Sequence, residues 1–248
     1  MEFRVKFQFN FFNLVLLVNI LVFIFATLFQ LLSPDFASGS SGRTLTQVFV
    51  LLGGMSLQSI FSGQFWTIIT ANFLHIEFIH FLLNMLALYT IGKKVVYTYG
   101  DKKFFIIYIL GGIASMVLTI IVSLFLGIDI ATLGASGSIF ALCGVLISGS
   151  LKNRRYGIDL PFSIYDVLPI VVVSLIYGFL PGSGVNNWAH IGGLVAGLFL
   201  GLFFKHEMGE YKSKADHLIE KILYYFSTSV FTLSYVLLII TSILLILG

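Results

Sequence analysis

The chain has 248 residues, of which 58% are hydrophobic and only 10% charged, and its formal net charge is +3. In soluble domains charged residues make up about a quarter of the sequence. This composition therefore excludes a soluble globular protein and indicates an integral membrane protein. The positive net charge does not indicate nucleic-acid binding, because the placement of Lys and Arg in a membrane protein reflects its topology. The single cysteine, Cys143, excludes an internal disulfide.

The apolar runs are long and continuous, and in lipid this pattern favours spanning helices. We therefore predict an all-α, polytopic membrane helix bundle. After an N-terminal segment at 1–10, the first span is expected at 11–32. A cleaved signal peptide is the alternative, but its apolar region would be only about 7 to 15 residues long.

The following segment, residues 33–74, is broken by glycines and a proline and is expected to form a loop with two interfacial helices, at 45–52 and 64–74. The second span is expected at 75–91 and the third at 104–126.

The fourth span is expected at 134–149, which is short for a membrane crossing and leaves its N-terminus below the surface. The fifth is expected at 165–180, and a Gly-rich loop at 181–187 leads to the sixth at 188–204. These six spans would form a core at 11–204. A polar linker at 205–226 would then precede a seventh span at 227–247.

Basic residues are distributed very unevenly over the predicted loops. Alternating the loops between two sides puts thirteen Lys and Arg residues on one side and Arg43 alone on the other. By the positive-inside rule the N-terminus and the linker are cytoplasmic, and the start of the second, fourth and sixth spans faces outward.

Ser136 stands among residues with almost no side chain, in the run Gly134-Ala135-Ser136-Gly137-Ser138. Small residues of this kind also serve for close helix packing, so a contact face is one interpretation. The other is a nucleophile, since Gly134 and Gly137 leave the hydroxyl open and the free amides of a helix N-terminus suit an oxyanion.

His190 is an ionisable residue inside a predicted span, which by default suggests function. Gly193 and Gly197 lie on its helical face and allow a close approach to the fourth span, where His190 would serve Ser136 as general base. A histidine bonded to a backbone carbonyl is the structural alternative.

His80 and Asn84 are four residues apart, on one helical face, and both side chains can donate to an oxyanion. An inter-helix polar clamp is the alternative. His75 lies on a different side and is expected to position the loop. Three histidines could bind zinc, but no His-Glu-x-x-His pair or carboxylate has ligand spacing, so no metal is expected. A transporter is disfavoured because no internal repeat is visible.

These motifs together resemble those of the rhomboid family of intramembrane serine proteases. The resemblance covers about residues 11–204 and is carried by three motifs: Gly134-Ala135-Ser136-Gly137, His80-Phe81-Leu82-Leu83-Asn84, and Ala189-His190-Ile191-Gly192-Gly193 through Gly197. It implies a Ser136–His190 dyad and an oxyanion hole made by the Ser136 amide, His80 and Asn84. The family's usual Trp-Arg pair is replaced here by Trp66-Thr67, and Phe140 stands where a tyrosine often stacks on the histidine.

The resemblance implies an endopeptidase that needs no cofactor and takes transmembrane proteins as substrates within the lipid bilayer. We expect a multi-pass protein of a bacterial cell membrane whose active site opens to the outer side. The fifth span and the loop at 181–187 are expected to form a gate and a lid. A rhomboid-like protein that binds transmembrane helices without cutting them is the alternative function.

Overall fold

A computed structural model describes residues 10–32, 52–156, 162–206 and 212–247, with the side chains of 153–156 and 245–247 left undescribed. This part of the chain is a bundle of α-helices, numbered here in chain order: α1 Phe11–Leu32, α2 Leu57–Phe61, α3 Thr67–Thr70, α4 Phe78–Tyr99, α5 Asp101–Leu126, α6 Ser136–Tyr156, α7 Ile164–Gly178, α8 Asn187–Phe203 and α9 Lys214–Leu247. The only β pairing in the described ranges is one isolated antiparallel bridge between Met55 and Thr132. The predicted all-α polytopic bundle is confirmed.

By length and composition, four of the described helices can cross a membrane: α1, α4, α5 and α9. Three shorter apolar helices coincide with the predicted fourth, fifth and sixth spans, at Ser136–Lys152, Ile164–Gly178 and Asn187–Phe203. Each predicted span therefore corresponds to an apolar helix, and α1 has the expected bounds.

Several helix ends differ from the sequence-based expectation. The helix α4 begins at Phe78 rather than 75 and continues past Lys93 and Lys94 to Tyr99, because Gly100, with φ of 84°, is the first residue that stops it. The helix α6 runs through the basic residues that were expected to close it and ends at Tyr156. Lys and Arg are good helix formers and do not end a helix by themselves.

The predicted linker is partly helical, since α9 begins at Lys214. Ser213 and Asp216 cap its start: the Ser213 N–H donates to Asp216 Oδ2 (2.7 Å) and the Asp216 N–H donates to Ser213 Oγ (3.2 Å). The Lys205 ammonium also lies 2.9 Å from Asp216 Oδ2. The start of α9 is thus bonded to the chain that leaves α8.

In the loop after α1, the prediction at 45–52 falls almost entirely outside the described residues. The helix expected at 64–74 is divided into α3 and a 3₁₀ turn, Ala71–Phe73. The short helix α2 was not predicted, and its first two N–H groups, of Leu57 and Gln58, donate to the carboxylate of Asp129. Thr67 is fully buried and its hydroxyl donates to the Gln64 carbonyl (2.7 Å), so a local bond fixes the chain just after Trp66.

The helices α6 and α8 form the closest helix pair in the described bundle. A Cβ atom on Gly193 would lie 1.9 Å from the Gly137 carbonyl oxygen, and one on Gly197 would lie 2.0 Å from that of Ala141. Residue numbers increase together in the contacting pairs, from Gly137–Gly193 through Ala141–Gly197 to Ser148–Gly201. The two helices therefore run parallel and begin at the same end of the bundle. We call this end, where α4 also begins, the site end.

At the opposite end, Lys103 of α5 is 3% exposed. Its ammonium donates to the Lys205 carbonyl (2.9 Å) and lies 3.5 Å from Glu220 of α9. These contacts join α5, α9 and the end of α8, which fixes the relative heights of three helices at the end remote from the site.

Candidate active site

Ser136 is the first residue of α6, where the amides of the first turn have no intrahelical acceptor. From Gly134 to Ser150, every residue except Ser136 is buried, and Ser136 alone is partly accessible. Gly134 makes the turn into this helix with φ of 113°, a conformation that residues with a side chain rarely adopt. Ser136 is therefore the one accessible residue of this buried stretch, and it lies at the start of the helix.

The chain before Ser136 is held by a segment that we call the support segment, residues 71–75. The Gly134 N–H donates to the Ala71 carbonyl (2.8 Å), and the Ala135 N–H donates to Nε2 of His75 (3.2 Å). The Ser138 hydroxyl donates to Oδ1 of Asn72 (3.4 Å). Bonds on both sides of Ser136 thus fix the start of α6 against the support segment.

His75 has both ring nitrogens occupied by backbone groups. Because Nε2 accepts from Ala135, Nδ1 carries the proton and faces the Phe73 carbonyl at 3.3 Å. His75 lies in the loop before α4, where burial, followed by the neighbouring His80 ring, lowers the pKa of its imidazole. A neutral histidine with these two bonds orients the chain and has no nitrogen left for proton transfer.

His190 lies in the first turn of α8, directly opposite the first turn of α6. Its ring stacks on that of Phe140, with the centroids 4.1 Å apart and the planes 9° from parallel. The Nδ1 atom of His190 is buried and has no hydrogen-bond partner among the described residues. Stacking on an aromatic ring, rather than a bond to a carboxylate, therefore holds this imidazole in the described structure.

The start of α8 is fixed by Asn186. Its side-chain oxygen accepts from the N–H groups of Trp188 (3.0 Å) and Ala189 (3.3 Å), which caps the helix. Its amide nitrogen donates to the hydroxyls of Thr119 and Thr132, both at 2.8 Å. One side chain thus connects the helix of His190 to α5 and to the loop that leads to Ser136.

His80 lies beside the turn that precedes Ser136. A Cβ atom on Gly134 would be 2.7 Å from Cε1 of His80 and 2.9 Å from its Nε2, so the ring occupies the space that the glycine leaves. Asn84, one turn further along α4, donates one amide hydrogen to the His80 carbonyl (2.9 Å). Its second amide hydrogen remains for another acceptor.

The structure therefore brings the predicted site residues to one end of the bundle, on α4, α6 and α8. Gly137 allows close packing there: a Cβ atom on it would lie 2.4 Å from Ser115 Oγ and 3.5 Å from the Ala189 carbonyl oxygen. Gly193 and Gly197 have the same role from the side of α8.

Two asparagines of this region, Asn72 and Asn186, were assigned no role from the sequence, although the run Asn72-Phe73-Leu74-His75 resembles the family's lead-in to the second helix. Asn186 had a readable signal, because Asn before an apolar helical run after a Gly-rich loop is a typical N-cap. The contact of Asn72 could not be predicted from a local pattern, since its partner Ser138 lies 66 residues away.

Among the described residues, no three His, Cys, Asp or Glu side chains are grouped as metal ligands. The His75 and His80 rings do meet, with centroids 5.2 Å apart. The His75 nitrogens are directed to backbone groups, however, so this pair does not present two free donors to an ion.

Comparison with known proteins agrees with this arrangement. Residues 62–207, more than half of the chain, match the family model described as the Rhomboid domain. The chain is 32% identical over 160 residues to the Rhomboid protease GluP of Bacillus subtilis (strain 168), an alignment that covers 64% of this chain and 30% of that protein. It is 34% identical over 151 residues to RHOMBOID-like protein 4 of Arabidopsis thaliana, covering 60% of this chain and 37% of that protein.

RHOMBOID-like protein 5 of Arabidopsis thaliana is 29% identical over 173 residues, which cover 70% of this chain and 53% of that protein. The chain thus spans about a third to a half of the length of these relatives. The matched region contains α3 to α8 and with them every residue of the candidate site. The chain belongs to the rhomboid family.

Proposed function

We propose that this protein is an intramembrane serine endopeptidase that hydrolyses peptide bonds in or beside transmembrane segments through a Ser136–His190 dyad. The observation that carries the proposal is the exposure of Ser136 alone at the start of a buried helix, facing the helix of His190. Membership of the rhomboid family supports protease activity in general.

In the proposed acylation, Ser136 Oγ attacks the carbonyl carbon of the scissile bond while His190 takes the hydroxyl proton. The carbonyl oxygen becomes an oxyanion, which would accept hydrogen bonds from the Ser136 N–H, His80 and the free amide hydrogen of Asn84. The tetrahedral intermediate collapses, the C–N bond breaks, and His190 returns the proton to the leaving amine.

In deacylation, water attacks the ester on Ser136 as its proton passes to His190. The same donors stabilise the second oxyanion, and collapse releases the carboxylic acid product and restores the serine hydroxyl with the proton from His190. The stacked Phe140 ring supports this sequence because it keeps the imidazole plane in one orientation through both proton transfers.

The substrates we propose are transmembrane proteins, and the surroundings are the lipid bilayer. A peptide bond must leave its helical hydrogen bonds before it can enter the site, so segments with helix-weakening residues should be cut preferentially. The helix α7 is a suitable gate, because in the described structure only Val167 and Val171 on it are buried.

For the topology, we propose a bacterial cell membrane with a cytoplasmic N-terminus at 1–10 and a catalytic core at 11–204. A cytoplasmic linker at 205–226 and a seventh span at 227–247 would follow. The distribution of Lys and Arg supports this orientation, which opens the site end to the outer side.

The test uses purified protein in liposomes, a fluorophosphonate serine probe and a single-span model substrate. Ser136→Ala should abolish labelling and reduce cleavage by at least about a thousandfold, and His190→Ala should reduce both by a similar factor. Two controls should retain activity: Ser148→Ala, further along α6, and His217→Ala, at an exposed position of α9.

Cleavage by Ser136→Ala or His190→Ala at the normal rate would exclude the dyad. If the wild-type protein neither reacts with the probe nor cleaves, but binds the single-span substrate in a photocrosslinking assay, it is a non-proteolytic binder of transmembrane helices.

A further inference from the structure

The inward face of α9 contacts an aromatic side chain of the support segment, Phe73. Phe73 is fully buried, and its ring lies 5.4 Å from that of Phe231 and 5.9 Å from that of Tyr235, both on α9. Phe73 also contacts Tyr108 of α5, with a centroid distance of 5.3 Å. Phe73 therefore packs against two helices, one of which is the seventh predicted span.

The ring of Phe231 also packs edge-on against Phe105 of α5, at 5.7 Å. Further along α9, Leu238 approaches the loop before α2: a Cβ atom on Gly53 would be 3.3 Å from Leu238 Cδ2. The Gly53 carbonyl in turn accepts from the Thr70 hydroxyl (2.7 Å). The residues Phe231, Tyr235 and Leu238 of α9 thus contact α5, the support segment and the loop before α2.

Phe73 belongs to the support segment, whose other members bond to the chain around Ser136. Its neighbours on both sides make these bonds, Asn72 to Ser138 and His75 to Ala135. The Asn72 carbonyl also accepts from the Tyr108 hydroxyl (3.1 Å). A displacement of the Phe73 ring would therefore move at least two of the three acceptors that hold the start of α6, Asn72 Oδ1 and His75 Nε2.

The contact made by Tyr235 depends on its ring. The hydroxyl of Tyr235 is buried and has no hydrogen-bond partner among the described residues. Its replacement by hydrogen breaks no bond and removes a buried polar atom, a change that is close to neutral. Tyr235→Phe is therefore a conservative variant that separates packing from polarity.

We propose that α9 is a positioning element for the nucleophile: Phe231 and Tyr235 hold Phe73, and Phe73 holds the support segment that sets the position of Ser136. The effect on catalysis rests on the proposed serine endopeptidase function. The structural part of the proposal, that α9 positions the start of α6, does not depend on that function. A seventh helix that only crossed the membrane would require none of these contacts.

The test compares the full chain in nanodiscs with Phe231→Ala/Tyr235→Ala, with Phe231→Leu, with Tyr235→Phe, and with Phe226→Ala as a control. Phe226 is also on α9 but is 50% exposed and faces away from the core. Three quantities are measured: kcat per probe-labelled site, KM, and amide hydrogen exchange of the peptide at 134–139. Thermal unfolding sets the assay temperature well below every midpoint.

The double variant should lower kcat per labelled site by at least about tenfold with KM unchanged, because small displacements of a reacting group are costly. Exchange at 134–139 should rise in parallel. Phe231→Leu should show a smaller effect in the same direction, and it carries the test if the double variant fails to fold. Tyr235→Phe and Phe226→Ala should behave as the wild type.

A lower unfolding midpoint with unchanged kcat per site and unchanged exchange would overturn the inference, because α9 would then contribute only packing. If the wild-type protein is itself inactive, the proposed function fails. The exchange measurement still decides this inference: faster exchange at 134–139 in the double variant supports it, and unchanged exchange overturns it.

Discussion

The rings of Phe140 and His190 lie face to face, 4.1 Å apart and within 9° of parallel. The two residues come from different helices, and their contact is possible because Gly137 and Gly193 let the α6 and α8 backbones touch. In proteases with a triad, a carboxylate holds the histidine in orientation. Here the Nδ1 atom of His190 has no bonded partner in the described structure, so in the proposed dyad the aromatic ring would supply the orienting part of that role.

Replacing the stacked ring should therefore affect turnover. Phe140→Leu retains apolar volume but loses the stacking, which is worth about 0.5–1.5 kcal/mol, and kcat should fall about threefold to tenfold. Phe140→Tyr retains the ring and should keep wild-type kcat. Steady-state cleavage of a single-span substrate measures both, and equal kcat for the Leu and Tyr variants would contradict the orienting role.

Gly134 should tolerate no side chain. Its φ of 113° is strained for any other residue, and a Cβ atom there would meet the His80 ring at 2.7 Å. Gly134→Ala should lower the free energy of unfolding by more than about 2 kcal/mol and reduce cleavage at least about a hundredfold, because His80 and Ser136 are both displaced.

Gly127→Ala is the matched control for this prediction. Gly127 also has a positive φ, of 67°, but a Cβ atom there would meet nothing within 4 Å. This variant should cost only about 1 kcal/mol and leave kcat unchanged. Thermal unfolding and cleavage assays on both proteins separate backbone strain from the steric effect at the site, and similar activity losses would show that the His80 contact is irrelevant.

How much could be read from the sequence depended on the range of the interactions. The apolar run at 11–32 predicted a span, and the structure has the apolar helix α1 there, because a continuous run of lipid-compatible residues is sufficient to specify a span. The start of α9 was missed, because the linker was expected at 205–226, although Ser213 and Asp216 form a local capping pair that the sequence displays. The short helix α2 was missed as well, although Ser56 and Ser59 form a local capping box at its start. The bonds from Leu57 and Gln58 to Asp129, more than 70 residues away, have no local signal.

The candidate site shows the same division. Ser136, His190, His80 and Asn84 were noticeable because polar residues inside apolar spans are rare and the motif spacings resembled one family. Phe73 was assigned no role from the sequence. Its importance arises from contacts with α5 and with Phe231, 158 positions later by residue number (231 less 73), and no local pattern reports such a contact.

Two glycines of α8 should separate stability from activity. Cβ atoms on Gly193 and Gly197 would overlap backbone oxygens of α6 to nearly the same degree, at 1.9 and 2.0 Å. Each Ala substitution should therefore destabilise the protein by about 1–3 kcal/mol or more, through overpacking. Gly193→Ala should reduce kcat more strongly, because it separates the helices within one turn of His190.

Val195→Ala is the control on the same helix, at a side chain that is 58% exposed. In thermal unfolding the two glycine variants should have similarly lowered midpoints, and the midpoint of Val195→Ala should stay near that of the wild type. In the cleavage assay the kcat of Gly193→Ala should be lower than that of Gly197→Ala. An equal kcat for these two variants would mean that the helix pair transmits displacement along its whole length.

One side-chain hydrogen bond joins α8 to α7, the proposed gate. Asn187 lies three residues before His190, and its side-chain amide donates to the Leu175 carbonyl on α7 (3.0 Å). Beyond this point α7 is poorly packed, with Ile176 60% exposed. Asn187→Leu removes the bond, worth about 1 kcal/mol, so amide exchange near the end of α7 should accelerate about fivefold.

Gly178→Ala tests the same bond from the other side, because its Cβ atom would lie 2.2 Å from Asn187 Oδ1 and would displace that side chain. Both variants should change KM for a single-span substrate, which must pass α7, and leave KM for a short soluble peptide unchanged, because such a peptide can enter from the water-facing end. Exchange mass spectrometry and the two assays check this. If both substrates respond alike, the bond supports the site itself and α7 does not control access to it.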